Sequence, residues 1–297
     1  MKTKICRLFI KGNFSRSLED AWSVLENVSE LDINCDYFMT PGGFINIPWK
    51  FNSFSEAVEE AKRRAEELLR GIEIDANCIT VGVDSYSSSS LRKPHVELVG
   101  VYDGDWHFTG KSYPTVGQER GLIRTSLESH FMELSDKVMV LGCHDLTIFN
   151  PRAKAAAKGW RRETIERFLS LAESFEPDVV LHHPHFTDSK FTWLAAWKNL
   201  EKLLPSVKHY ASSSVYFRED GERSKFDDVL VFTKKGDVGD VVVNTAKVMS
   251  ITQESNLYRF KTKSKSNYLA TQPDCPSSPP ADCRSPSDLK RSSARPS

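Results

Sequence analysis

The apolar run "KVMVLG" at 137–142 leads directly into Cys143, His144 and Asp145, so a single strand end offers a thiol, an imidazole and a carboxylate. A cysteine at a strand end is most often a small buried hydrophobe. Here polar neighbours give it a second reading, as a thiol held rigidly by the strand and presented to a ligand. A thiolate is the nucleophilic form, and a nearby ammonium lowers the pKa at which it forms. Lys111, in the loop "FTGKSYPT" at 108–115, is the candidate for that ammonium.

A second unusual strand end is "LHHPHFTDS" at 181–189. His183 and His185 face one way if the backbone stays extended, and with Asp188 as oxygen ligand and His144 brought from elsewhere they would suit zinc. Pro184 interrupts such a strand, and histidines satisfied by hydrogen bonds, or lining a substrate pocket, are the competing readings. Gly110-Lys111-Ser112 resembles the end of a phosphate-binding loop, but that motif needs four residues between its glycines. Five separate Gly104 from Gly110, so a nucleotide site is excluded.

These loops need a scaffold, and the pattern supplies one. Strands are expected at 4–12, 35–44, 78–86, 95–106, 137–143, 178–183, 207–217, 227–234 and 240–245, with a hairpin at the Asp-Gly signal after 95–102. Helices are expected at 17–29, 53–72 (N-cap Ser53 or Ser55), 116–134, 160–175 and 190–204. Continuous Val/Ile/Leu strands alternating with helices indicate sheets buried on both faces, an α/β protein. Trp160, Trp193 and Trp197 could shape a pocket, but helical spacing favours core packing.

The chain is expected to form one domain over 1–250, followed by a linker and a disordered Ser/Pro-rich tail over 251–297. From Lys261 onward seven Lys and Arg stand against three Asp, in a segment without apolar periodicity, which reads as solvated chain. The formal net charge is zero, which argues against nucleic acid or an anionic membrane as partner. Six scattered cysteines, with no close pair in the globular part, read as reduced thiols, and no signal peptide or membrane-length apolar run is evident. The expectation is a cytoplasmic protein acting on a small molecule, with no cofactor and no metal.

"VMVLGCHDLTIFNPR" resembles the nucleophile segment of the nitrilase, or carbon–nitrogen hydrolase, superfamily. There a strand runs into a cysteine followed by an aromatic residue and an acid. "GVYDGDWHFTGKSYPT" followed by "QE" resembles that family's hairpin, lysine loop and second glutamate. "DYFMTPGGF" with "SFSEAVEEAKRRAEELL" resembles the strand, turn and helix around its general-base glutamate, and "FEPDVVLHHPHFTDSKFTWLAAWKNL" the step after the nucleophile. The resemblance spans about 4–245 in order and spacing. It implies a four-layer α-β-β-α sandwich, often a homodimer through one helical face. It also implies hydrolysis of a non-peptide C–N bond, in a small amide or related substrate, through a cysteine thioester. Cys143 would be the nucleophile, Lys111 the stabiliser of thiolate and oxyanion, and Glu119 the support for Lys111 or a replacement base. His144, Asp145, His183 and His185 would contact substrate.

One departure bears on mechanism. Where the family has Pro-Glu, this chain has Pro41-Gly42-Gly43, so the carboxylate that takes the thiol's proton is missing, and His144 replaces the aromatic residue. General-base assistance contributes about 10²–10⁴-fold. Three accounts stay open: Glu119 or His144 substitutes as base; the pocket is catalytically degenerate and serves a binding or scaffold role; or the His182–His185 cluster with Cys143-His144-Asp145 forms a metal-dependent hydrolase.

Overall fold

In the computed structural model, residues 3–48, 51, 53–85, 94–186, 190–216, 224–245, 250–254 and 257–259 are described. The expected tail from 261, with Cys275 and Cys283, lies outside them, as does Asp188. The chain divides into units Met1–Thr262 and Lys263–Ser297, and all described residues belong to the first.

Fifteen strands form two sheets among these residues. The larger contains β1 (Lys4–Lys11), β2 (Asn34–Met39), β3 (Ile45–Asn46), β4 (Asp75–Asp84), β5 (Glu97–Tyr102) and β6 (Trp106–Gly110). The smaller contains β7 (Phe131–Glu133), β8 (Lys137–Gly142), β9 (Val179–His183) and β10 (His209–Ser212). Thereafter β11 (Val215–Tyr216) pairs with β1 in the larger sheet and β12 (Lys234–Lys235) with β10 in the smaller. Finally β13 (Asp237–Asn244), β14 (Ser250–Glu254) and β15 (Leu257–Arg259) extend the larger sheet beyond β1. The last two strands fall where the sequence suggests a linker.

Three apolar clusters define four layers. One joins the larger sheet, through Leu8, Ile10, Val81 and Val83, to α1 (Leu18–Ser29) and α2 (Phe54–Leu69). A second lies between the sheets, with Ile5, Met39, Val99 and Val101 meeting Val138, Val140, Val179 and Leu181. The third joins the smaller sheet to helices beyond α3 (Pro151–Ala156): α4 (Trp160–Phe175), α5 (Lys190–Leu203) and α6 (Phe226–Phe232). Strand β8 shows the two-residue period at work, sending Val138 and Val140 to the middle layer and Met139 and Leu141 under the helices. The result is the four-layer α-β-β-α sandwich expected of the sequence.

Local signals explain most boundaries. Ser17 and Ser53 cap α1 and α2 by accepting from the Asp20 and Glu56 amides. Trp193 and Trp197 are buried, and Trp197 stacks on Tyr210 with centroids 4.1 Å apart.

Two expectations require correction. Residues 116–134 form no continuous helix. Short 3₁₀ turns occupy 116–118 and 128–130, and β7 begins at Phe131. Between the turns the backbone pairs with His95, whose amide donates to Gly121 O while Ile123 N donates to His95 O. Long-range pairing there overrides an apolar spacing that suits a helix. Residues 226–232 form α6 rather than a strand. A short continuous apolar run fits either period, and Asp227 and Asp228 in the first turn suit a helix N-terminus.

Among the described residues, no helix is long and apolar enough to cross a membrane.

Candidate active site

Strand ends from both sheets converge on Cys143. β8 ends at Gly142, where a Cβ would stand 2.8 Å from the Lys111 backbone and 2.9 Å from Asp145 Oδ2, so only glycine lets the two loops approach this closely. Asp145 fastens them together, accepting from Gly142 N (3.0 Å), Ser112 N (3.1 Å) and Tyr113 N (2.7 Å). Its carboxylate is thus a clamp between the thiol loop and the lysine loop, and it is fully buried. Cys143 is half-buried, whereas Cys6, Cys35 and Cys78 are buried.

Lys111 is buried, and its ammonium donates to Glu97 Oε2 at 2.6 Å and to Gln118 Oε1 at 2.9 Å. Gln118 Nε2 donates in turn to Glu97 Oε1. Burial alone would raise the pKa of Glu97, but the charges of Lys111 and His185 outweigh it and hold the carboxyl at about 2. Burial likewise opposes the ammonium, and Glu97, Cys143 and Asp145 overcome it, so Lys111 is held above its ordinary value.

His185 arrives from the other sheet, just beyond β9. Its backbone amide donates to Cys143 Sγ at 3.5 Å, its Nε2 pairs with Asp84 Oδ2, and its Nδ1 lies 3.8 Å from Glu97 Oε2. Asp84 and Glu97 are cross-strand partners in the β4–β5 register. Two carboxylates directly opposite one another repel, and the cations of His185 and Lys111 neutralise them. Burial disfavours the imidazolium, yet Asp84, Cys143 and Glu97 hold the His185 pKa well above the ordinary histidine value. For the Cys143 thiol, burial opposes ionisation. The positive charges of His185 and Lys111 outweigh it and lower the pKa.

The remaining histidines are held apart from one another. His182 Nε2 donates to the Cys143 carbonyl (3.2 Å), so its Nδ1 accepts from Ser212 Oγ (3.0 Å). His183 Nδ1 donates to the Thr40 carbonyl at 2.8 Å. Burial pushes His182 down to about 3 and His183 to about 4, leaving both neutral. His144 donates through Nδ1 to Tyr113 O at 3.0 Å, stacks on the Tyr113 ring and is pushed down by burial and by Lys111. Among the described residues, no three His, Cys, Asp or Glu side chains are grouped to hold a metal ion.

Beside the thiol lies a cavity of about 290 Å³ bounded by Cys143, His144, Thr115, Asn150, Phe186 and Trp193. Glu119 does not join the cluster. It is exposed and accepts from Arg161 Nε at 2.6 Å, and its neighbour Gln118 is the residue that turns inward to Lys111. Nor does the cavity lining include Asp145, His183 or His185. Sequence reasoning passed over Asp84, Glu97 and Gln118. For the first two a signal existed, an acid inside or closing an otherwise apolar strand.

Neither a protein-family model nor a curated protein matches the chain. Several solved structures are similar to it. They include a glutamine-dependent NAD(+) synthetase from Cytophaga hutchinsonii, with 12% identity, 72% of this chain and 36% of that one covered, and a TM-score of 0.42. Another is Saccharomyces cerevisiae Nit3, a member of branch 10 of the nitrilase superfamily, with 13% identity, coverage of 74% and 78%, and a TM-score of 0.42. The C. elegans NitFhit protein shows 13% identity, coverage of 87% and 60%, and a TM-score of 0.41. This chain therefore spans little more than a third of the synthetase. At these scores the likeness assigns no activity. Layers and site together define an α-β-β-α sandwich with a cysteine, a lysine and carboxylates gathered at the strand ends of both sheets.

Proposed function

We propose that the protein is a divergent carbon–nitrogen hydrolase that cleaves a non-peptide C–N bond in a small amide or related substrate through a thioester on Cys143. The observation that carries this reading is the Lys111–Glu97–Gln118 cluster, buried and mutually hydrogen-bonded, beside a half-buried thiol that opens on a cavity. An ammonium buried this deeply is costly unless paired, and its charge favours the Cys143 thiolate.

In this reading the Cys143 thiolate attacks the amide carbon, a C–S bond forms, and the carbonyl electron pair moves onto oxygen. Lys111 offsets the developing anion, a kind of stabilisation that preorganised charge provides efficiently in a site shielded from water. The amine leaves with a proton given by an acid group of the site. Water then hydrolyses the thioester, releasing the acid, restoring the Cys143 thiolate and returning that proton to the group that gave it. Glu97 orients Lys111, the part that the sequence resemblance implied for Glu119. Asp145 sets the spacing of the two loops, and His144 borders the bound substrate. A pocket that binds without turnover is the competing reading, and the intact charge cluster opposes it.

The test is release of amine or ammonia from a panel of small aliphatic and aromatic amides, with acyl-enzyme trapped on Cys143 by acid quench and read by mass spectrometry. An acyl adduct that forms and turns over, and that is absent in Cys143→Ala, is the expected result. Binding of amides without any adduct or turnover would overturn the hydrolase in favour of a binding protein.

A further inference from the structure

We propose that Asp84 and His185 carry out the proton transfers at Cys143, with His185 Nδ1 exchanging the proton and Asp84 holding the imidazole through Nε2. This rests on the reading of Cys143 as a hydrolytic nucleophile, and it supplies the group that the Pro41-Gly42-Gly43 turn lacks.

The space at that turn is what the pair occupies. A Cβ on Gly43 would lie 2.5 Å from Asp84 Oδ2 and 2.9 Å from the His185 ring, and Gly43 has φ +58°, a left-handed conformation that favours glycine. At Gly42 a Cβ would lie 2.3 Å from the His183 carbonyl oxygen. A side chain at Gly43 and the Asp84–His185 pair exclude one another, while at Gly42 it is the His183 backbone that leaves no room for a side chain. The turn that carries no carboxylate is thus the turn against which the Asp84–His185 pair packs, through Gly43.

The two ring nitrogens of His185 have different duties. Nε2 is committed to Asp84, which fixes the ring's orientation, as an orienting carboxylate does for a catalytic imidazole elsewhere. Nδ1 stands 3.8 Å from Glu97, beyond hydrogen-bond length, so it remains available to Cys143. The charged groups around the ring are Asp84 and Glu97 from the larger sheet and Cys143 from the smaller. Lys111 lies beyond Glu97, and Arg16 stands 3.9 Å from Asp84. Two anions flanking the ring favour the imidazolium, and the imidazolium favours the thiolate. The resting state is then an ion pair of thiolate and imidazolium.

The cycle balances from that state. As the C–N bond breaks, the imidazolium gives its Nδ1 proton to the leaving nitrogen and becomes neutral. Neutral imidazole then takes a proton from water as the hydroxyl oxygen bonds to the thioester carbon. Collapse of that adduct expels the Cys143 thiolate, and the starting ion pair returns with one water consumed, one acid and one amine released.

The experiment is the pH dependence of Cys143 alkylation by iodoacetamide in the full chain, followed by mass spectrometry. It is run on wild type, His185→Gln and Asp84→Asn, with circular dichroism as the folding control. Wild type should react with an apparent pKa below the free-thiol value of about 8.5. His185→Gln should raise that pKa by about one unit or more and slow the reaction at pH 6.5 about tenfold, and Asp84→Asn should fall between. A second reading needs no variant. In folded wild type, the imidazole pKa of His185 followed by NMR should drop once Cys143 is alkylated and its negative charge is gone. If wild-type Cys143 reacts with a lowered pKa but His185→Gln leaves it unchanged, or if alkylation leaves the His185 titration in place, the proton role of His185 is overturned while the thiol hydrolase stands. If wild-type Cys143 does not react at all, the hydrolase reading itself falls.

Discussion

Asp84, which closes β4 of the larger sheet, and His185, which follows β9 of the smaller, pair across the space that Gly43 leaves open. The pair holds His185, 8% exposed, where its backbone amide donates to a thiol 42 residues away in sequence. Its consequence for stability has a definite sign. The His185 pKa is raised well above 6.5 on folding, so its contribution is complete below the unfolded value and is lost as pH rises through the folded one. His185→Gln should therefore lose stability relative to wild type at pH 6 and narrow the difference on the alkaline side, as read by urea midpoints.

Cys143 is half-buried at the cavity wall, and replacing its sulfur by hydrogen leaves little void. Cys143→Ala should abolish acyl-adduct formation and turnover while changing stability by less than about 1 kcal/mol. Thermal unfolding beside the activity assay checks both halves. A large drop in melting temperature would assign the thiol to the core.

The Glu97–Lys111 pair predicts a sensitivity to acid. Glu97 sits at about 2 when folded against 4.5 ordinarily, so its contribution is present above 4.5 and disappears as pH falls toward 2. Glu97→Gln should flatten that part of the acid-unfolding curve. Lys111→Met, which leaves a buried carboxylate without its cation, should cost about 3–5 kcal/mol in denaturant unfolding. It should also raise the alkylation pKa of Cys143.

His182 and His183 act at milder pH. Both are neutral in the fold, at about 3 and about 4, against 6.5 when exposed. Stability is intact above 6.5 and declines as pH falls toward 4, because the unfolded chain takes up protons that the folded chain refuses. His183→Asn keeps a donor for the Thr40 carbonyl and removes the titration. Its urea midpoint should vary less than that of wild type between pH 6.5 and 4.

Between the sheets, Arg7 is fully buried. Its Nε donates to Asp240 at 2.5 Å, and its remaining nitrogens donate to the Ser212, Leu230 and Thr233 carbonyls. Arg7 and Asp240 are register partners in β1 and β13, while Ser212 belongs to the smaller sheet. Asp240→Asn leaves this guanidinium without its counter-charge and should cost about 3–5 kcal/mol, measurable by denaturant unfolding.

Much of this protein is legible along the chain because the signals are local. Apolar periodicity places α1, α2, α4 and α5, and serine caps mark where α1 and α2 start. A continuous apolar run announces β8, and the residues that follow it mark Cys143 as the place to look. The loop carrying Lys111 is likewise visible, since it ends a hairpin with an Asp-Gly turn. Where two periods fit one stretch, as at 226–232, local pattern does not discriminate.

Tertiary structure alone decided the composition of the site. Asp84, Glu97, Lys111, Gln118, Cys143 and His185 are scattered over a hundred residues and meet only because strand register aligns the ends of two packed sheets. One position along a turn separates Glu119, exposed against Arg161, from Gln118, buried against Lys111. That difference is set by a three-residue helical turn and its packing, not by residue type. The histidines differ in the same way. The sequence names three near neighbours, and the fold sends His182 to Ser212, His183 to Thr40 and His185 to Asp84. Charge in a buried site depends on which partners burial brings within a few ångströms, and that is a property of the packed sheets rather than of the chain.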